Sequence, residues 1–217
     1  MLHLAKQAGN TSHNMTYSLL SGLVIFCLVS SITPGPNNLM LLASGANFGI
    51  RRTLPHMLGV VLGFTFMVIV IGLGAAQVFQ RIPVAHTVLT IVSVFYLLYL
   101  AYKIGTANSK VLGEKVTGSP ITFLQAVFFQ WVNPKAWTMA LAAITVYTPQ
   151  PVTNYNIIMV SLIFGAINLP SINFWVILGA QMRHLLTTDT KLRIFNWTMA
   201  SLLVVSLYPI VTLQLDI

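Results

Sequence analysis

"SITPGPNNLML", residues 31–41, breaks an otherwise apolar run. Proline inside a helix deletes one backbone hydrogen bond and clashes with the preceding turn, and glycine adds conformational freedom. Pro34-Gly35-Pro36 therefore stops a helix, and two polar amides, Asn37 and Asn38, follow at once. The flanking residues have the composition of a membrane-buried helix. What this stretch does depends on the solvent around the whole chain.

That solvent is lipid. Of 217 residues, 56% are hydrophobic and only 6% charged, against about 25% charged in a typical soluble domain. So few charges cannot solvate a globular surface, and the chain reads as an integral membrane protein. The single cysteine, Cys27, lies in an apolar run and reads as a small filler, so a disulfide framework is excluded.

A bilayer crossing takes roughly 20 helical residues. Six stretches qualify: about 17–47, 56–79, 84–104, 121–147, 153–179 and 194–215. Residues 1–14 form a polar tail with no evident secretory signal. The polar connection 105–120 divides the chain into two halves, 15–104 and 121–217, and Ser119-Pro120 is a plausible helix start.

The net charge of +8 follows this division. Arg51, Arg52, Lys103, Lys110, Lys115, Arg183, Lys191 and Arg193 fall on one side, and Lys6 and Arg81 on the other. By the positive-inside rule the first group is cytoplasmic and both termini face out. Topology thus accounts for the positive charge, with no nucleic-acid partner required.

The halves resemble each other at an offset of 100 residues, where Thr33-Pro34-Gly35-Pro36 faces Asn133-Pro134-Lys135-Ala136. Each half holds three spans, an odd number, so the second is inverted relative to the first. The expected fold is therefore all-α: six transmembrane helices in two inverted three-helix repeats, with helices one and four broken. Interrupted helices in inverted repeats are a sequence signature of secondary transporters.

In lipid, backbone groups freed by a break must be satisfied, so breaks survive only against protein or a watery cavity. The half-helices after Pro36 and Pro134 would start near mid-membrane and run to opposite faces. Their positive ends would converge on one zone suited to a carboxylate. This makes Pro34, Gly35, Pro36, Asn37, Asn38, Asn133, Pro134 and Lys135 candidate substrate-binding residues; the alternative is a structural kink whose asparagines satisfy backbone. Lys135 lies some fifteen residues into its span, where an ammonium is costly and by default functional. It can pair with a substrate carboxylate, carry a proton, or bond carbonyls freed by the break.

In "GAINLPSINFW", Asn168, Pro170 and Asn173 suggest a third kink and two more site amides, or interhelical hydrogen bonding. Gln130 carries the same ambiguity. Gly59 and Gly63 have the spacing of a helix-packing motif. Trp131, Trp137, Trp175 and Trp197 read as packing or interfacial residues. The three acids, Glu114, Asp189 and Asp216, all lie outside the spans, so no carboxylate relay is available there. His56 and His86, near span ends, join Lys135 as candidates for proton coupling. The spans hold no metal-ligand cluster, nucleotide loop or nucleophile–base pair, so no enzyme, cofactor or metal site is expected.

The stretch "TPGPNNLMLLASGANFGIRRTLPHMLGVVLGF", together with Asn133-Pro134-Lys135-Ala136, resembles the LysE/RhtB amino-acid exporter superfamily. "TPGPNN" looks most like the cysteine and O-acetylserine exporters, with homoserine, threonine and leucine exporters as neighbours. The resemblance implies a bacterial inner-membrane efflux transporter of amino acids, driven by the proton gradient. Many members carry aspartate after Pro-Gly-Pro where this chain has Asn37, which leaves coupling without its obvious group and disfavours a cationic substrate. A small neutral amino acid fits, its carboxylate on the half-helix ends and Lys135. Proteins of this size often pair, so a homodimer is a further expectation. Competing readings are an exporter of metal or other small ions, a membrane-embedded enzyme or assembly factor, and an uncoupled facilitator.

Overall fold

In a computed structural model, residues 15–75, 83–107 and 119–208 are described. Seven α-helices run along them: α1 Tyr17–Ile32, α2 Pro36–Val70, α3 Pro83–Gly105, α4 Phe123–Val132, α5 Pro134–Tyr147, α6 Asn154–Met182 and α7 Asp189–Val205. A π-helical turn, Ile71–Ala75, extends α2. No strand occurs among the described residues. Among the described residues, three helices are long and apolar enough to cross a membrane: Pro36–Ala75, Thr87–Gly105 and Asn154–Met182.

The prolines explain why other apolar segments are short. The residue before a proline is pushed into extended geometry, and Thr33 (ψ 138°), Gly35 (ψ 176°) and Asn133 (ψ 109°) all obey. Pro36 and Pro134 then open new helices, where a missing N–H costs nothing. At 1.5 Å per residue, α1, α4 and α5 reach about 24, 15 and 21 Å, each short of a hydrocarbon core about 30 Å thick.

Three local expectations need correction. The connection expected around Arg51-Arg52 is helical: α2 bends at Gly49 (φ 75°, ψ 172°) and resumes at once. Glycine alone adopts that φ readily. Thr53 Oγ1 secures the bend by donating to the Gly49 carbonyl at 2.8 Å, and it pairs with Ser44 Oγ at 3.0 Å. Secondly, α4 starts at a Thr122–Gln125 capping box rather than at Ser119-Pro120. Thirdly, α6 continues through Pro170 with no residue leaving helical geometry, so the kink expected there does not interrupt the helix as the breaks before Pro36 and Pro134 do. Residues 1–14 and most of the 105–120 connection lie outside the described residues.

Helix α2 is the hub, packed mainly on α6 and α4, while α3 packs on α7. Glycines set the closest approaches. A Cβ at Gly45 would strike the Val176 carbonyl oxygen, and one at Gly179 the Leu42 carbonyl oxygen, so α2 and α6 cross backbone to backbone. Gly59 and Gly63 likewise seat α2 on Phe123, Ala126 and Val127 of α4. These contacts separate two apolar cores, one around Leu41, Phe129 and Val176, the other around Cys27, Phe64 and Phe164. Outside, Ile25, Phe66, Phe95, Phe128 and Leu162 are more than half exposed, an apolar exterior that matches lipid.

Gly179→Ala should lower the stability of the detergent-solubilised protein by about 1–3 kcal/mol, since overpacking rigid backbone costs that much. Gly22→Ala, which meets only the Tyr147 ring at 3.2 Å, should cost less. Thermal melting checks this: equal melting of both variants would mean that the crossing is not rigid.

Candidate functional site

A helix that ends in an apolar environment leaves its last carbonyls without partners, each costing about 1–3 kcal/mol if buried unsatisfied. At the end of α1 these belong to Ser31, Ile32 and Thr33, and side chains from three other helices reach them. Asn38 Nδ2 donates to the Ser31 and Thr33 carbonyls at 2.9 and 2.8 Å. Lys135 Nζ donates to the Thr33 carbonyl at 2.6 Å and to Thr33 Oγ1 at 2.9 Å. Trp175 Nε1 donates to the Ile32 carbonyl at 3.2 Å.

The second break is built similarly. Asn133 Oδ1 accepts from Lys135 N at 3.1 Å and caps α5. Trp137 Nε1 donates to the Trp131 carbonyl at 2.8 Å, recovering an acceptor that the break released. The two breaks are joined by a reciprocal amide pair: Asn37 Nδ2 donates to Gln130 Oε1 at 2.9 Å, and Gln130 Nε2 to Asn37 Oδ1 at 3.3 Å. They also touch, since a Cβ on Gly35 would lie 2.7 Å from Lys135 Cδ.

Between the breaks lies a cavity of about 30 Å³, room for a water or two. Gly35, Asn37, Asn38, Gln130, Asn133, Lys135 and Asn168 line it, with Val60, Phe64, Ala136 and Ile172 from the two cores. Most of its polar groups are engaged within the protein. Two are not: the buried Ser31 Oγ has no hydrogen-bond partner, and the Asn168 amide, 7% exposed, bonds to no described residue. In this closed arrangement Lys135 is held by two neutral oxygens, the carbonyl and the hydroxyl of Thr33.

The structure thus assembles Gly35, Asn37, Asn38, Asn133, Lys135 and Asn168 at one place, with Pro34, Pro36 and Pro134 shaping the backbone. Asn173 is not among the lining residues; its amide donates to the Leu169 carbonyl on its own helix at 2.8 Å. His56, expected near a span end, is fully buried on α2, with neither ring nitrogen hydrogen-bonded. The His86 side chain lies outside the described residues. Sequence reasoning missed Ser31 as a lining group and read Trp137 and Trp175 as packing, whereas both indoles serve freed carbonyls. No group of three or more His, Cys, Asp or Glu gathers among the described residues.

Comparison with known proteins places this geometry in a family. A cysteine/O-acetylserine efflux protein of Klebsiella pneumoniae is 30% identical over 195 residues, covering 88% of this chain and 95% of that protein. Proteins with the same name from Salmonella typhi and Escherichia coli K12 are 30% and 28% identical over 166 and 172 residues, covering 76% and 79% of this chain and 84% and 87% of their own lengths. No solved structure matches the chain. The family model for LysE type translocators matches residues 28–207, which include both helix breaks and the cavity between them, and the chain belongs to that family.

Proposed function

We propose that this protein is a secondary active efflux transporter of small neutral amino acids or their derivatives, of the cysteine/O-acetylserine or homoserine/threonine type. The single observation that carries the reading is the meeting of two proline-broken helices at one cavity whose only charged residue among the described lining is Lys135. Half-helix ends and an ammonium suit the substrate's carboxylate, and the free Asn168 amide and Ser31 hydroxyl suit its ammonium or side chain. The names of the relatives support the same substrate class.

The reading includes six spans in two inverted repeats. α1 with the first part of α2, the rest of α2, and α3 form one; α4 with α5, α6 and α7 form the other. With basic residues inside, both termini face the periplasm of a bacterial inner membrane. The proposed partners are the amino acid and the bilayer, with a second copy forming a homodimer. The proton gradient is the proposed driving force, with Lys135 or a histidine standing in for the missing carboxylate.

Uptake of a labelled amino-acid panel into inside-out vesicles, with and without an imposed pH gradient, tests this reading. Cysteine, O-acetylserine or homoserine should accumulate and the accumulation should collapse with the gradient; no uptake of any amino acid by inserted protein would overturn it. Lys135→Ala should reduce transport to the level of empty vesicles while melting only slightly lower, because Asn38 still serves the Thr33 carbonyl. Full activity in that variant would remove Lys135 from the site. Asn168→Leu should raise the apparent KM about tenfold, equivalent to about 1.4 kcal/mol of binding, and an unchanged KM would take Asn168 out of substrate recognition.

A further inference from the structure

A second, larger cavity lies along the same helix as the first. It has a volume of about 390 Å³ and sits between the first part of α2 and the end of α3, two helices whose backbones stay apart. Met40, Ser44 and Asn47 line it from α2, Lys103 and Thr106 from the α3 side, and Ser119 from the approach to α4. Asn37 and Asn38 line the central cavity and Met40 the larger one, so less than one helical turn of α2 separates the two linings. The larger volume would admit a small amino acid; the central cavity, as closed, would not.

Its charge is one-sided. Lys103 is the only charged residue among the described lining, and its one hydrogen bond is long, 3.4 Å to Gln125 Oε1. That oxygen also accepts from the Thr122 backbone N–H at 3.0 Å, and the ammonium has two further N–H groups. The ammonium therefore keeps N–H donors for an arriving anion, within a partly apolar cleft where screening is weaker than in water. Ser119 adds a hydroxyl, while Thr106 Oγ1 gives its proton to the Tyr102 carbonyl at 2.7 Å and can only accept. The other polar side chains are committed to structure: Ser44 pairs with Thr53, and Asn47 with Asn196 at 2.6 Å.

We infer that this cavity is a separate inner vestibule that takes a carboxylate-bearing small molecule on Lys103 before it passes along α2 to the central site. This deepens the export reading and rests on it for the identity of the ligand. On the proposed topology, Lys103 lies at the cytoplasmic end of α3, where an exported molecule would arrive. The two lysines then divide the work: Lys103 captures the carboxylate in an open cleft, and Lys135 takes it where the broken helices meet.

The test uses the full-length, detergent-solubilised protein with Cys27→Ala and one reporter cysteine, Ala43→Cys or Ser44→Cys, in two separate variants. Labelling rates are compared for an anionic and a cationic methanethiosulfonate reagent. Both positions should label, and the anionic-to-cationic rate ratio should fall about tenfold on Lys103→Gln and return with Lys103→Arg. O-acetylserine should slow labelling several-fold, and should still do so with Lys135→Ala. Absence of labelling at both positions, a ratio indifferent to Lys103, or protection that vanishes with Lys135→Ala would overturn the vestibule. In vesicles, Lys103→Gln should raise the apparent KM about tenfold with the maximal rate nearly kept, and an unchanged KM would also overturn it. If wild-type vesicles take up no amino acid while the Lys103-dependent ratio and O-acetylserine protection persist, the export reading fails and a carboxylate-binding vestibule stands.

Discussion

Three carbonyls at the end of α1 organise the centre of this molecule. Lipid offers them no hydrogen bonds, and the two prolines that follow forbid the helix from continuing to serve them. Donors must come from elsewhere, and they come from α2, α5 and α6 through Asn38, Lys135 and Trp175. One interrupted helix thereby ties four helices together. Two of these donors stand immediately beside the breaks themselves, so the residues that create the problem arrive with part of its solution.

Close packing makes that arrangement possible. Lys135 reaches Thr33 because the two breaks lie side by side, and they do so because α2 contacts α4 and α6 through Gly59, Gly63, Gly45 and Gly179. A side chain at any of these four glycines would displace α2 from the bundle. The bend at Gly49 turns α2 after its first part, and a cleft lies between that part and the end of α3.

The prolines made both breaks legible in the sequence, because their consequences are local: they fix their own φ and push the preceding residue into extended geometry. Lys135 was legible as an anomaly, though its partner, 102 positions away, was not. The turn around Arg51-Arg52 misled because paired arginines suggest a polar connection, whereas one glycine with positive φ lets the helix resume directly. Asn168 and Asn173 illustrate another limit. Five residues apart on one helix, they point about 140° apart, so both cannot face one small cavity; sequence identifies two amides without saying which is turned inward. The indoles of Trp137 and Trp175 were the least legible, since an apolar ring with one N–H looks alike in packing and in capping until the carbonyl it serves is located.

The closed cavity also indicates how ligand and helix geometry are connected. Lys135 is held by a carbonyl and a hydroxyl, both neutral, in an environment that strengthens charge pairing. A carboxylate in the cavity offers the ammonium an opposite charge, which the neutral carbonyl and hydroxyl lack. The exchange leaves no carbonyl bare, because Asn38 remains on Thr33. In the proposed transport cycle, substrate therefore removes a tie between the halves while satisfying the charge that made it. A carboxylate beside the lysine would hold that ammonium permanently and oppose the exchange. Asn37 avoids this: it joins the breaks through Gln130 by neutral amide bonds, which keep the halves in register while leaving the ammonium free to change partners.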